Sequence, residues 1–574
     1  MKRTLTTLLA LLLALTMFFS FAMAEGLEMS DIPGMTAPGV LPIVTEDTKL
    51  SIAYAQHAMV TDFDDNVLTK YVEEQTGIDI VWDLLPNAET ATVLDLRFSS
   101  GDPLSDIIVY NFGSAGALSY GTQGFFKPLN EYFDKYTYFF DHSMLTDAQR
   151  AKYLSRVKEA DGNIYGYSYY VEGLGDSRKI DAYINQLWLD QLGLEHPTNL
   201  DELYDVLVAF RDNDMNGNGD AGDEFPMITS NGVWNGSFAE FFINNFIYYD
   251  ADYMLDVEDG KVFAPFTTEE WQNAMIYMNK LVSEGLFDPT SVTITREEYA
   301  QMLENCKTEE AIVGVVLGST AHICVDKSNP YLLAYDALMP FEGQWTPSRV
   351  AQMTPTFFIS CDCEIPEIAF RFFDFFAQPR VSEWSRYGAP GDTLMWRDDD
   401  PEAFDAKYPN GSQNAVALGL DIKWATDYSD GKKDPWSNPN NTMWNIQFCA
   451  MNPITLYAAS GSTTPIDEFV LDWKSGYEGG DINKHRNYLA SKMTAWMGIV
   501  PEERFMEPKY TVDELDAYND TINTCKTFVK EAIASFITGE MDPVNDWESY
   551  LTQLEAAGLN DWLTCAQAFY DRSK

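Results

Sequence analysis

The chain has 574 residues, enough for roughly three to four average domains or two large ones. Its 46% hydrophobic and 14% aromatic content fits a folded globular protein and excludes a disordered one. A formal charge of −50 repels nucleic acid and anionic membrane surfaces, which excludes both as general partners.

In chain order, Lys2 and Arg3, the apolar run Leu5 to Phe21 and the small-residue site Ala22-Met23-Ala24 have the form of a signal peptide over residues 1–24. The mature chain is expected to begin near Glu25, two charge units more acidic, and to lie outside the cell or at its surface. No cysteine precedes Cys306, so no lipid-modified cysteine follows the signal. Residues 25–48 are rich in Pro, Gly and Thr and are expected to form a flexible leader. Leu50 to Ala55 alternates as a strand, Asp65 to Thr76 is a helix stopped by Gly77, and Ile78 to Leu84 is the next strand. Ala91 to Ser99 is helical, and Asp106 to Tyr110 is a short apolar run suited to a buried parallel strand. This alternation is that of an open α/β sheet flanked by helices. Helix starts recur at Thr146 with Gln149, Asn199 with Glu202, Thr267 with Glu270 and Thr511 with Glu514, each with capping-box spacing.

Between two of these helices lies an oxygen-rich stretch, Asp212 to Glu224. Asp214, Asn216, Asn218 and Asp220 alternate along it, Asp223 and Glu224 close it, and Gly217 and Gly219 let the backbone curl. A hard cation such as Ca²⁺ takes about six to eight oxygens from carboxylates, amides and backbone carbonyls. In an EF-hand frame starting at Asp212, the ligands are Asp214, Asn216, the carbonyl of Asn218 and Asp220, with Gly217 at the turn and Asp223 closing. The alternative is an acidic surface turn without metal. Residues 388–465 are polar, rich in Asn, Pro, Gly and Trp, and read as long loops. The last long helix carries Leu515, Ile522, Cys525, Val529, Ile533 and Phe536 on one face and ends at Gly539. The seven cysteines are an odd count and favour buried free thiols over a disulfide framework. The five scattered histidines show no zinc spacing, and no GxSxG, Walker or GxGxxG motif occurs.

Several ordered segments carry a resemblance. They include Leu94-Asp95-Leu96-Arg97-Phe98-Ser99-Ser100-Gly101-Asp102-Pro103, Asp161-Gly162-Asn163-Ile164-Tyr165-Gly166, Gly285-Leu286-Phe287-Asp288-Pro289, Tyr387-Gly388-Ala389-Pro390-Gly391 and Asp546-Trp547. In this order they resemble the extracellular solute-binding proteins of ABC-type sugar importers, in the subgroup near the alginate-binding proteins. The resemblance implies an α/β, two-lobed periplasmic-binding-protein-like fold with a hinge and an interlobe cleft. One lobe would take residues 49–165 plus 350–387, the other 166–349 plus 388–574. It also implies a structural Ca²⁺ on Asp214, Asn216, Asn218, Asp220 through its carbonyl, Asp223 and Glu224. This chain has one extra residue before the Asp223-Glu224 pair.

A sugar needs flat aromatic surfaces and a few fixed polar groups. In an open α/β protein those sit on the turns after the strands. The candidates are therefore Gln56 and His57 after the first strand, and Tyr110 and Asn111 after the third. In the other lobe they are Tyr169, Tyr170, Glu172 and Trp234, with Trp436 and Trp444 from the polar loops. Trp82, Trp188, Trp271 and Trp547 lie in periodic segments and are expected in the core. The implied function is capture of an oligosaccharide by a monomer that delivers it to the permease subunits of an ABC importer, without catalysis. A calcium-stabilised secreted glycan hydrolase and a sensory ectodomain are the alternatives. The acidic balance disfavours a polyanionic ligand unless a local patch such as Arg178 with Lys179 overrides it.

Overall fold

The computed structural model describes residues 27–168 (except 59 and 144), 178–230, 235–304 (except 293), 311–318, 333–348, 355–407 (except 392 and 393), 424–426, 441–446 (except 445), 473–480, 485, 488–489, 492–496, 498–506 and 508–574. The strands among the described residues are β1 (Thr48–Ala55), β2 (Ile78–Leu85), β3 (Ile107–Val109), β4 (Gly166–Ser168), β5 (Ala182–Asn185), β6 (Phe225–Ile228), β7 (Asp256–Glu258), β8 (Lys261–Phe263), β9 (Val313–Leu317), β10 (Tyr335–Ala337), β11 (Pro355–Ile359), β12 (Leu394–Trp396) and β13 (Trp424–Thr426). Two sheets organise the chain, in the orders β2-β1-β3-β11-β4 and β10-β5-β9-β6. In the first, β1 runs parallel to β2 and β3, while β11 is antiparallel to β3 and β4. In the second, β5 is antiparallel to β9 and β10, and β6 is parallel to β9. The chain passes between the sheets after β4 and returns between β10 and β11.

The period of two explains the first sheet. Leu50, Ile52, Ile107, Val109, Phe357 and Ile359 share one buried face. Ala53, Ile108 and Phe358 share the other, with Leu94, Phe98, Leu118 and Phe126 against them. All three residues of β3 are buried, as the short apolar run at 107–109 requires. The helix Val67–Thr76 starts directly after the turn at Asp64 and Asp65. Asn66 Oδ1 accepts from the Leu68 amide at 2.9 Å, and Gly77 closes the helix in the left-handed region at φ 75. Thr146 and Thr511 form complete capping boxes with Gln149 and Glu514. At 267–270 the cap shifts by one residue. Thr267 belongs to a 3-10 turn, its hydroxyl donating to Ala264 O at 2.9 Å, and Thr268 caps the helix Glu269–Ser283.

The leader is not loose. Met35, Ile43 and Val44 are buried in the first core. The buried Arg371 guanidinium donates to Thr36 O (2.7 Å) and Val40 O (3.1 Å), and the Val44 amide donates to Thr76 O (3.1 Å). The prolines and glycines of this stretch make turns, and the apolar residues between them anchor it.

Segments expected in the second lobe also attach to the first sheet. Leu394 and Trp396 pack against Trp384 and Tyr387 of the helix Pro379–Tyr387. Asn441 O accepts from the Val67 amide at 3.0 Å, and Met443 O accepts from Asn66 Nδ2 at 2.9 Å.

The edge of the second sheet is sealed by ring N–H groups from the C-terminal part of the chain. Trp473 Nε1 donates to Leu333 O (3.0 Å), and Trp496 Nε1 to Leu338 O (3.0 Å). His485 Nε2 lies 2.8 Å from Tyr335 O, so it carries the proton there. Tyr335 O is a carbonyl that the edge strand β10 would otherwise offer to another chain, and Leu333 and Leu338 flank that strand. The 27-residue helix Val512–Thr538 packs on Glu269–Ser283 and Leu559–Ser573, and also touches the helix Gly113–Thr122 beside the first sheet.

Candidate functional site

Parallel pairing of β1 with β3, in the register Tyr54↔Val109, sets the C-terminal ends of the two strands side by side. Gln56, His57, Tyr110 and Asn111 therefore share one rim. Gln56 is exposed and its amide donates to Leu85 O at 2.8 Å. His57 is half-buried; burial first, and then the Arg386 guanidinium, hold its pKa below the ordinary histidine value. Tyr110 is half-buried, its amide donating to Thr356 O (2.9 Å) and its ring 4.9 Å from that of Phe112. Asn111 is exposed, and its Oδ1 accepts from the Gly113 amide at 2.9 Å, at the start of the helix Gly113–Thr122. Gln56, Tyr110 and Asn111 are thus placed by backbone or ring contacts.

Two charged residues near this rim escaped the sequence reading. Arg386 acts electrostatically on His57, on Glu383 and on Tyr54, whose phenol burial pushes up to about 12. Glu383 is fully buried, and neither carboxylate oxygen has a hydrogen-bond partner among the described residues. Burial raises its pKa well above the carboxylate range. The usable signal was their spacing of three residues, which puts both on one helix face.

Trp444 is placed differently from its expectation. It is 0% exposed, in the first core. Its ring lies 4.9 Å from Trp82 and 5.2 Å from Phe376, and Nε1 donates to Thr69 Oγ1 at 2.8 Å. It has no face left for a sugar, because the 441–446 segment folds onto the helix Val67–Thr76. Tyr169, Tyr170, Glu172, Trp234 and Trp436 lie outside the described residues. Trp188, Trp271 and Trp547 are buried, as their periodic segments predict.

Arg178 and Lys179 are no basic patch. Both are buried. Arg178 pairs with the buried Asp181, and Lys179 with Asp250, Asp252 (2.6 Å) and Glu240 (3.8 Å). Three carboxyl groups surround the one ammonium and offset its charge.

The loop after the helix Leu200–Asp212 curls on its own oxygens. Asp214 accepts from the amides of Asn218 (3.1 Å) and Gly219 (2.7 Å), Asn216 Oδ1 from Asn218 (3.0 Å), and Asn218 Oδ1 from Asp220 (2.7 Å). Gly217 and Gly219 hold φ 72 and 92, where a side chain is disfavoured. Asn218 Nδ2 donates to Asp223 Oδ2 at 2.7 Å. Glu224 turns inward: Oε1 accepts from Met215 (2.8 Å) and Asn216 (3.3 Å), while Oε2 is buried without a partner. Burial leads the upward shift of its pKa. Among the described residues no three His, Cys, Asp or Glu side chains converge tightly enough by themselves to hold a metal. The donor set that fits is a mixed one, in which carboxylates alternate with amide and carbonyl oxygens and Glu224 keeps one oxygen in reserve.

Two α/β bodies, joined by segments that cross between their sheets and carrying a polar rim at the strand ends, define a two-lobed solute-binding protein. The chain belongs to the bacterial extracellular solute-binding protein family, whose sequence pattern matches residues 58–383. It is 30% identical over 235 residues to the fructooligosaccharide ABC transporter substrate-binding protein FusA of Streptococcus pneumoniae serotype 4, covering 40% of this chain and 42% of that protein. The matches to curated relatives span about two fifths to just over half of their length. The solved structure of FusA in complex with kestose superposes with a TM-score of 0.68 at 21% identity, covering 92% of this chain and 99% of that one. The alginate-binding protein AlgQ2, solved without its calcium ion, gives 0.65 at 21% identity over 92% and 99%. Among the described residues no helix is long and apolar enough to cross a membrane.

Proposed function

We propose that this protein captures an oligosaccharide outside the cell and delivers it unchanged to the permease subunits of an ABC importer. The family match over residues 58–383 carries the reading. The names of the similar proteins, which bind fructooligosaccharide and alginate, support a carbohydrate as the ligand class. Gln56, His57, Tyr110 and Asn111 offer the first lobe's contribution, with Tyr169, Tyr170, Glu172, Trp234 and Trp436 completing the grip. Trp444 is left out because it is core. The neutralised Arg178 and Lys179 favour an uncharged sugar over a polyanion. The protein acts as a monomer, exported by its N-terminal segment.

The loop Asp214 to Glu224 holds a structural Ca²⁺ through Asp214, Asn216, Asn218, the Asp220 carbonyl, Asp223 and Glu224. Support comes from the reserved Glu224 oxygen and from relatives described as an EF-hand mutant and as calcium-free. The metal pins one loop and takes no part in chemistry.

The test is a thermal-shift screen against a glycan library. One class of neutral oligosaccharide should raise the melting temperature, because a ligand that binds only the folded state stabilises it by mass action. No reducing sugar should be released during incubation. Peptides that shift the melt while every glycan fails would overturn the ligand class, and released sugar would overturn the absence of turnover.

A further inference from the structure

One ion pair among the described residues ties the lobes directly together, and its acid is buried. Glu159 lies between the helix Asp147–Val157 and β4, on the first lobe. Its backbone closes a turn, its amide donating to Asn163 O at 2.8 Å and its carbonyl accepting from Gly162 at 2.9 Å. Its side chain is 1% exposed and receives Ser114 Oγ (2.6 Å) and Lys509 Nζ (3.1 Å). Ser114 sits in the first turn of the helix Gly113–Thr122, three residues beyond Asn111 on the candidate rim. The free amides of that turn favour a carboxylate nearby.

Lys509 is bolted to the other lobe. The Arg572 guanidinium donates to its carbonyl at 3.4 Å, and Phe505 and Tyr510 on either side of it are buried against Phe569. Its ammonium is thus held by the second lobe and neutralised by the first. Separating the lobes would break this contact together with the apolar packing where the lobes meet, including that of the helix Val512–Thr538 against Gly113–Thr122.

We propose that the Lys509–Glu159–Ser114 contact is a latch between the lobes that biases the protein, before any ligand binds, toward the arrangement seen here. It rests on the two-lobed fold and on no particular ligand. By adjoining Asn111, the latch couples lobe position to the rim that the ligand meets.

The test uses small-angle scattering on the purified full-length mature chain without sugar, so that its failure leaves the ligand reading untouched. Lys509→Met removes the charge from the more exposed partner. It should raise the open-to-closed ratio at least about fivefold, the low end of coupling between sites, seen as a larger radius of gyration. Lys509→Arg should restore the wild-type curve. Glu159→Gln should open the lobes to a similar extent, and the double variant should add nothing further. A Lys509→Met protein with unchanged circular dichroism and melting, whose scattering superposes on wild type, would overturn the latch. So would opening that Lys509→Arg fails to reverse.

Discussion

Replacing Trp444 by alanine separates a packing role from a ligand role. The indole is 0% exposed and lies between Trp82 and Phe376, so its removal opens a cavity in a core that cannot fully collapse. Aromatic-to-alanine changes in cores cost about 3–5 kcal/mol, a large share of the roughly 5–15 kcal/mol that holds a domain folded. The Nε1–H to Thr69 bond adds about 1 kcal/mol within that range. Thr69 does not become an orphan, because its hydroxyl still donates to Phe63 O at 2.7 Å. Trp444→Phe should therefore cost only about 1–2 kcal/mol, from the lost donor and the smaller ring. Urea unfolding read by tryptophan fluorescence and far-UV dichroism checks both values. If Trp444→Ala shifts stability by less than about 1 kcal/mol yet abolishes glycan binding, the residue is a ligand contact and the packing account fails.

Three further outcomes are expected. Lys179→Met leaves Asp250 and Glu240 buried without their counter-charge and should cost about 3–5 kcal/mol in a melt; a change below about 1 kcal/mol would mean those carboxylates are solvated. Glu383 has a raised pKa in the folded protein, so its contribution to stability is complete below its unfolded value of 4.5 and is lost as pH rises through the folded value. Glu383→Gln should therefore match wild type at acid pH and exceed it in the alkaline range; a variant less stable at pH 8 than at pH 5, relative to wild type, would show the carboxylate ionised and paired. Chelation should lower the melting temperature by about 1–2 °C, roughly 1 kcal/mol for a chain or lobe of this size, without abolishing the fold. Glu224→Gln should remove most of that calcium response, and a melt indifferent to chelator would empty the loop of its proposed ion.

Local features were the most legible. The β1, β2 and β3 segments and the helix from Val512 to Thr538 follow from alternation, three-to-four spacing and caps, all of which act within a few residues. The Gly77 and Gly539 stops were readable because a left-handed terminus favours glycine. The rim residues could be named because strand ends in an open sheet are predictable once the strands are. Trp444 could not, because its partners Thr69 and Trp82 are more than 360 residues away in the chain, and nothing local reports such a pairing. The leader failed for a related reason: Pro and Gly content reads as flexibility, whereas Met35, Ile43 and the distant Arg371 decide the packing. Arg178 and Lys179 looked free because their acids come from elsewhere in the fold, apart from Asp181.

These long-range contacts share a consequence for how a ligand would be held. The leader and the 441–446 segment brace the first sheet, and the ring N–H groups of Trp473, His485 and Trp496 brace the open edge of the second. Each sheet is stiffened at a distance from the rim where Gln56, His57, Tyr110 and Asn111 emerge. A rigid support fixes such groups more sharply than loops alone, and fixed donors and acceptors lose less entropy when a sugar arrives. The freedom needed for closure is then expected where the chain passes between the lobes: between β4 and β5, between β10 and β11, and between residues 446 and 473. Substitutions in the braces should therefore change stability and leave selectivity among sugars intact, whereas substitutions in the crossings should change affinity for every sugar by a common factor.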